Sequence, residues 1–255
     1  MSLSTLLSPV LGGIILANFN LYWALMVDVF TAAIELLCMT KIKLQAVKAK
    51  AEAVAESAKV TEEELLSGFK YIFKNDSLRY LFYIYAAGFL LMTPVNVLSL
   101  LFVQRHFGAS VVNLTLQEIA WAAGSVIAGL LVAKHKEFKN NATVLGLGVG
   151  TFAAVMVVTA LSPTIWFYLA MMFLLGVASP YYYTNQAVII QTESAPEFMG
   201  RTFAAFQMIG NIMLLIGSLG LGPLADVFPM VWLFISCGVL LLLISIWYIF
   251  KTKTV

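Results

Sequence analysis

From Asn140 to Thr192 the chain carries no charged residue. A helix needs about 20 apolar residues to cross the hydrocarbon core of a bilayer. The stretch is long enough for two crossings, and Ser162-Pro163-Thr164 supplies the turn chemistry that divides it. The same ruler marks apolar runs at about Leu3–Phe19, Leu21–Met39, Tyr80–Val103, Leu114–Ala133, Thr202–Leu224 and Met230–Phe250. The expectation is an all-α, polytopic integral membrane bundle of eight transmembrane helices. Very short links, such as Asn18-Phe19-Asn20 and Asp226–Pro229, make consecutive spans antiparallel neighbours.

Composition closes off the other classes. The chain is 61% hydrophobic and 11% charged, where soluble domains carry about 25% charged residues. A net charge of +2, spread over loops, gives no nucleic-acid footprint. Cys38 and Cys237 both sit in apolar runs and form neither a disulfide framework nor a metal-ligand spacing. No HExxH or GxSxG occurs, and His106 and His135 fall in loops on opposite sides of the membrane. The reading is not an enzyme, and no metal or cofactor is implied. The first 40 residues hold no Lys or Arg, so they lack the positive region of a secretory signal.

Half of all charged residues lie between Thr40 and Arg79. That segment is a charged linker between 1–39, two helices of an incomplete N-terminal bundle, and 80–255, a six-helix C-terminal bundle. Thr61-Glu62-Glu63-Glu64 fits a capping box. After it, Leu65, Phe69, Ile72 and Phe73 share one helical face, which predicts an amphipathic helix lying on the inner membrane surface. Counted by loop, Arg105 is the only Lys or Arg on one side of the membrane; the others share the opposite side with the linker. By the positive-inside rule the linker and the C-terminus are cytoplasmic, in an inner cell membrane.

Acids inside spans are costly and usually face a partner or a water-filled cavity. Asp28 and Glu35 lie two turns apart on the second span, and Glu118 lies inside the fourth. Each is a candidate proton carrier; each is also explained by hydrogen bonds to neighbouring helices, or by interfacial exposure for Glu35 and Glu118. Asn96, Tyr182, Asn185, Gln207 and Asn211 are uncharged polar groups on spans, able to line a substrate cavity or to bond helix to helix. Gly146-Leu-Gly148-Val-Gly150 lies within a span and lacks a following Lys-Ser/Thr, so it reads as helix packing rather than a phosphate loop.

Ser8-Pro9-Val-Leu-Gly12-Gly13 resembles the GPxxGG helix-packing motif of antiporters, with Ser8 in place of Gly. Trp23-Ala-Leu-Met-Val-Asp28, Ser67-Gly-Phe-Lys-Tyr71 and Met199-Gly200-Arg201-Thr-Phe203 resemble stretches of a drug-efflux branch. With the long charged loop before six spans, the chain resembles helices 5–12 of the major facilitator superfamily, in its macrolide-efflux-like branch, without the first four helices. The resemblance implies a secondary transporter that exports a drug-like substrate by proton antiport and alternating access. Its partners would be the lipid bilayer, a small organic substrate, protons and an N-terminal four-helix portion. Export of a siderophore or lipid, or a non-transporting remnant that serves in assembly, are the other readings. The orientation is testable directly: a cytoplasmically active reporter fused after Val255 is active, and the same reporter inserted at Gly108 is silent.

Overall fold

The computed structural model describes residues 26, 29–34, 62–108, 110–134 and 140–252. Residues 26 and 29–34 are helical; the remainder of the two spans expected before residue 40, with Pro9, Gly12, Gly13, Asp28 and Glu35, lies outside the described residues. From residue 62 onward the described chain is helical throughout, with no strand. Its elements are α1 (Glu62–Lys74), α2 (Asp76–Leu91), a π-turn (Pro94–Leu98), α3 (Ser99–Phe107), α4 (Val111–Lys134), α5 (Asn141–Ala160), α6 (Ile165–Glu193), α7 (Met199–Val227) and α8 (Met230–Thr252). The α2–α3 rod and helices α4 to α8 are six candidate membrane spans. They coincide with the six apolar runs expected after Tyr80, each extended outward by its polar caps.

Those caps are legible in the residue types. Asn75 accepts the Ser77 and Leu78 N–H groups at 3.0 and 3.4 Å and starts α2. Asn140 accepts from the Thr143 N–H at 3.0 Å, and Thr164 from the Phe167 N–H at 3.3 Å. Each satisfies a donor that the first helical turn leaves without a partner. Ser162-Pro163-Thr164 is the turn between α5 and α6, as its composition demands.

Helix α1 covers the amphipathic segment expected after the capping box. Its apolar stripe packs on protein: Ile72 is fully buried, and the Phe69 and Phe73 rings meet Phe82 of α2 edge-on at 5.9 and 5.4 Å. Tyr71 stacks on Phe198 at 4.6 Å, and its hydroxyl accepts the Ala195 N–H at 2.9 Å. The amphipathic face covers the ends of α2 and α7 because that surface is equally apolar and its backbone offers hydrogen-bond partners.

Helices α4 and α6 run parallel in close contact; α6 also packs on α5 and, more lightly, on α2 and α7, while α8 packs on α5 and α2. The pair crosses where Gly124 faces the Phe173 carbonyl and Gly176 faces the Trp121 carbonyl. A Cβ on either glycine would overlap that backbone oxygen. Small residues permit this approach, which is how apolar helices gain packing energy where lipid is as apolar as Leu. The glycine run in α5 works the same way: Gly146 lies against Ile249, Gly148 against Tyr181 and Gly150 against Ser245. Gly176→Val is expected to destabilise the bundle by about 1–3 kcal/mol. Gly129→Ala, with open space around it, is neutral or stabilising by up to about 1 kcal/mol. Unfolding temperatures of the two variants in detergent check both.

Candidate functional site

Pro94 falls inside the first described span. It has no N–H, and its ring opposes the carbonyl four residues earlier, so the α-helical ladder cannot run through it. The chain answers with the π-turn Pro94–Leu98. Below it, Met92 N–H still reaches Gly88 C=O at 2.8 Å, and Asn96 N–H reaches Met92 C=O at 3.0 Å. Single π-turns re-aim side chains and gather at functional sites. This one presents Asn96 and, a turn later, Ser99.

Asn96 and Ser99 line a cavity of about 110 Å³ together with Glu118 and Trp121 of α4 and Met172 of α6. Drug-sized pockets run to roughly 300–1,000 Å³. The space therefore fits a few waters or one polar group of a larger molecule. Glu118 belongs to neither of the ion pairs formed among the described residues, Arg79–Asp76 and Arg105–Asp226. Its carboxylate is held by a neutral neighbour: Gln117, fully buried, donates Nε2–H to Glu118 Oε1 at 3.3 Å. The other end of that amide accepts from the buried Tyr168 hydroxyl at 3.0 Å. Tyr168 in turn stacks on Phe102 at 5.6 Å, and Phe102 on His106 at 4.5 Å. An uncompensated carboxylate at this depth, facing an amide, a hydroxyl and an indole, can exchange a proton or meet a positive or hydrogen-bonding group on a ligand.

The structure thus brings together two of the residues singled out from the sequence, Asn96 and Glu118. Tyr182 and Asn185 are elsewhere: each is 1% exposed, inside the bundle. The Tyr182 ring stacks on Tyr85 at 6.4 Å, with its hydroxyl unpartnered beside Gly88. Asn185 donates to the Tyr181 carbonyl of its own helix at 2.7 Å. Gln207 and Asn211 lie on an exposed face of α7, one turn apart. Ser99, Gln117, Trp121, Tyr168 and Met172 were not anticipated. The available signals were Pro94 within an apolar span and a Gln directly beside the intramembrane Glu.

Six helices long and apolar enough to cross a membrane, with an acid and a broken helix at one cavity, are the architecture of a polytopic membrane bundle. The family model of the Major Facilitator Superfamily matches residues 1–218, and the chain belongs to that family. It is similar to Macrolide efflux protein A of Streptococcus pyogenes, 21% identical over 247 residues, covering 96% of this chain and 60% of that protein. It is also similar to Macrolide efflux protein A of Enterococcus faecalis, 21% identical over 222 residues, covering 86% of this chain and 67% of that protein. The chain therefore spans about three fifths of the length of the Streptococcus relative. No solved structure matches it.

Tyr168→Phe removes the partner of a fully buried amide oxygen, and such an orphan costs about 1–3 kcal/mol. The expected result is a lower unfolding temperature in detergent. Adding Gln117→Leu recovers only part of the loss, because the orphaned amide oxygen is gone but the Glu118 carboxylate loses its donor.

Proposed function

We propose that the chain forms helices 5–12 of a secondary active exporter for a drug-like, macrolide-type organic substrate, driven by proton antiport. The observation that carries this is Glu118: a carboxylate within a span, outside the ion pairs formed among the described residues, opening on a small polar cavity with Asn96 and Ser99 at a broken helix. In this reading Glu118 binds a proton from one side of the membrane and releases it on the other. Asn96 and Trp121 meet one polar group of the substrate, and most of the substrate lies in the wider space between two bundles. Asp28 and Glu35 are the second and third coupling candidates. Eight spans, with residues 40–79 linking the last two helices of an N-terminal bundle to a six-helix C-terminal one, supply the two bodies that rock about a midplane site. The linker and the C-terminus face the cytoplasm of the cell membrane. The similarity to two macrolide efflux proteins supports the substrate class.

The chain is expressed with a separately encoded four-helix N-terminal portion of a related exporter, and the accumulation of labelled erythromycin is followed with and without a proton uncoupler. Uncoupler-sensitive low accumulation is expected. Glu118→Gln should abolish the uncoupler-sensitive part, and Asp28→Asn should do the same. Export by Glu118→Gln equal to the parent removes Glu118 from the coupling. Unchanged accumulation with the protein shown in the membrane points to the siderophore or lipid readings, or to an assembly role.

A further inference from the structure

The hydrogen-bonded string Tyr168–Gln117–Glu118 has a fixed direction. A glutamine side chain donates at one end and accepts at the other, and the two ends exchange by half a turn of the amide. Gln117 is fully buried and meets two partners, the Tyr168 hydroxyl and the Glu118 carboxylate. Tyr168 decides which end faces which. It too is fully buried, and among the described residues its hydroxyl bonds to Gln117 alone, at 3.0 Å. Its ring is flanked by the apolar rings of Phe102 at 5.6 Å and Phe107 at 5.7 Å. The phenol hydrogen therefore has one acceptor, the Gln117 carbonyl oxygen. With the amide turned over, its N–H would point at Tyr168, and that hydrogen would be buried without an acceptor, which folded proteins avoid. The carbonyl is thus held on Tyr168, and the amino end is left to Glu118, where it donates to Oε1 at 3.3 Å.

A donor and an acceptor act oppositely on a carboxyl group. An N–H donor favours the ionised form; a carbonyl acceptor favours the protonated form, which alone has a hydrogen to give. Among the described residues, the surroundings carry no charge that overrides this choice. The cavity is completed by Val95, Asn96, Ser99, Trp121 and Met172, none of them titratable. On α6 the titratable side chain beside Glu118 is Tyr168 itself. On α4 the other charged side chain is Lys134, at the opposite end of the helix. On α3, Arg105 and His106 begin six residues past Ser99, about 9 Å of helix away. Arg105 is bound to Asp226 of α7, and His106 stacks on Phe102 at 4.5 Å.

We propose that Tyr168 is a positioning residue for Glu118: acting through the Gln117 amide, it keeps a hydrogen-bond donor on the carboxylate and so favours its ionised form. The device ties the proton on α4 to a contact between two helices, because the same amide bridges α4 and α6. Protonation of Glu118 sets its new O–H against the amide N–H. The amide can serve that O–H with its carbonyl only by releasing Tyr168. The inference rests on the reading of Glu118 as a proton carrier.

The purified chain is titrated in detergent while infrared difference spectra follow the C=O stretch of protonated carboxyl groups. The band missing from Glu118→Gln belongs to Glu118. Tyr168→Phe and Gln117→Leu are each expected to raise the midpoint of that band by about one pH unit, or roughly tenfold in proton affinity. The double variant shifts no further than Gln117→Leu alone, since Tyr168 acts only through the amide. Phe102→Leu, which removes a ring stacked on Tyr168 and leaves the string intact, keeps the parent midpoint. The amide bands of the same spectra show that each variant is folded. An unmoved or lowered midpoint in either single variant, additive shifts in the double variant, or an equal shift in Phe102→Leu would overturn the proposal, the last by assigning the effect to packing. A Glu118 band that never titrates while the bundle stays folded overturns the proton-carrier reading as well. A band that titrates without regard to Tyr168 and Gln117 overturns this inference and leaves that reading standing.

Discussion

The backbone contact between α4 and α6 is what the Glu118 cavity depends on. Two parallel helices touch carbonyl to Cα at Gly124 and Gly176. Two turns toward the α4 start, the same pair is joined by Gln117 and Tyr168 at 3.0 Å; next to the crossing, the Ser125 and Ser179 hydroxyls lie 3.3 Å apart. Contacts recur about every seven residues, as they do when two helices stay in register along their length. Without the close crossing, the side chains would not reach each other. The Glu118 carboxylate inherits its position from this geometry, since its orienting partner Gln117 is itself held by Tyr168.

The π-turn supplies the other half of the site. Pro94 breaks one ladder, and the neighbouring helix accommodates the break: Gly217 of α7 lies against the Thr93 hydroxyl with no room for a side chain. Thr93 in turn donates to the Phe89 carbonyl at 3.1 Å, so its own hydroxyl is satisfied within the rod. At the far end, Arg105 of α3 bonds the Ala225 carbonyl and Asp226, each at 2.6 Å. The broken helix is thus fixed to α7 above and below the turn.

The six spans after Tyr80 and their ends were readable because they depend on length and local chemistry. Apolar runs have to be about as long as the bilayer is thick, and Asn75, Asn140 and Thr164 are residues that cap. Which face of each span looks inward was not readable. In water, burial selects one stripe; in lipid, the outward face is as apolar as the core, so periodicity is lost. Tyr182 and Asn185 are polar and yet wholly interior, whereas Leu219 and Trp232 are apolar and well exposed. The pairing of Asn96 with Glu118 depends on the π-turn and the α4–α6 register, and neither has a signature at the spacing of those two residues. The stripe of α1 was visible because its apolar residues alternate with charged ones at helical spacing, and Phe69 and Ile72 of that stripe pack on the bundle.

Helix α7 separates the two kinds of surface that this bundle exposes. Only 17% of its most apolar stretch is buried, against 33–50% for the other five spans. On α5 and α8 the large exposed side chains are apolar or aromatic, among them Leu147, Val158, Leu240 and Leu243, which lipid tolerates. On α7 the exposed set includes Gln207 and Asn211. A primary amide in hydrocarbon leaves donors and acceptors unmatched, at a cost that no neighbouring Leu offsets. That part of α7 must therefore meet water or other protein groups, and the π-turn bearing Asn96 packs on the same helix. The exposed faces of α5 and α7 are accordingly opposite in kind: one is apolar, and the other requires a polar neighbour.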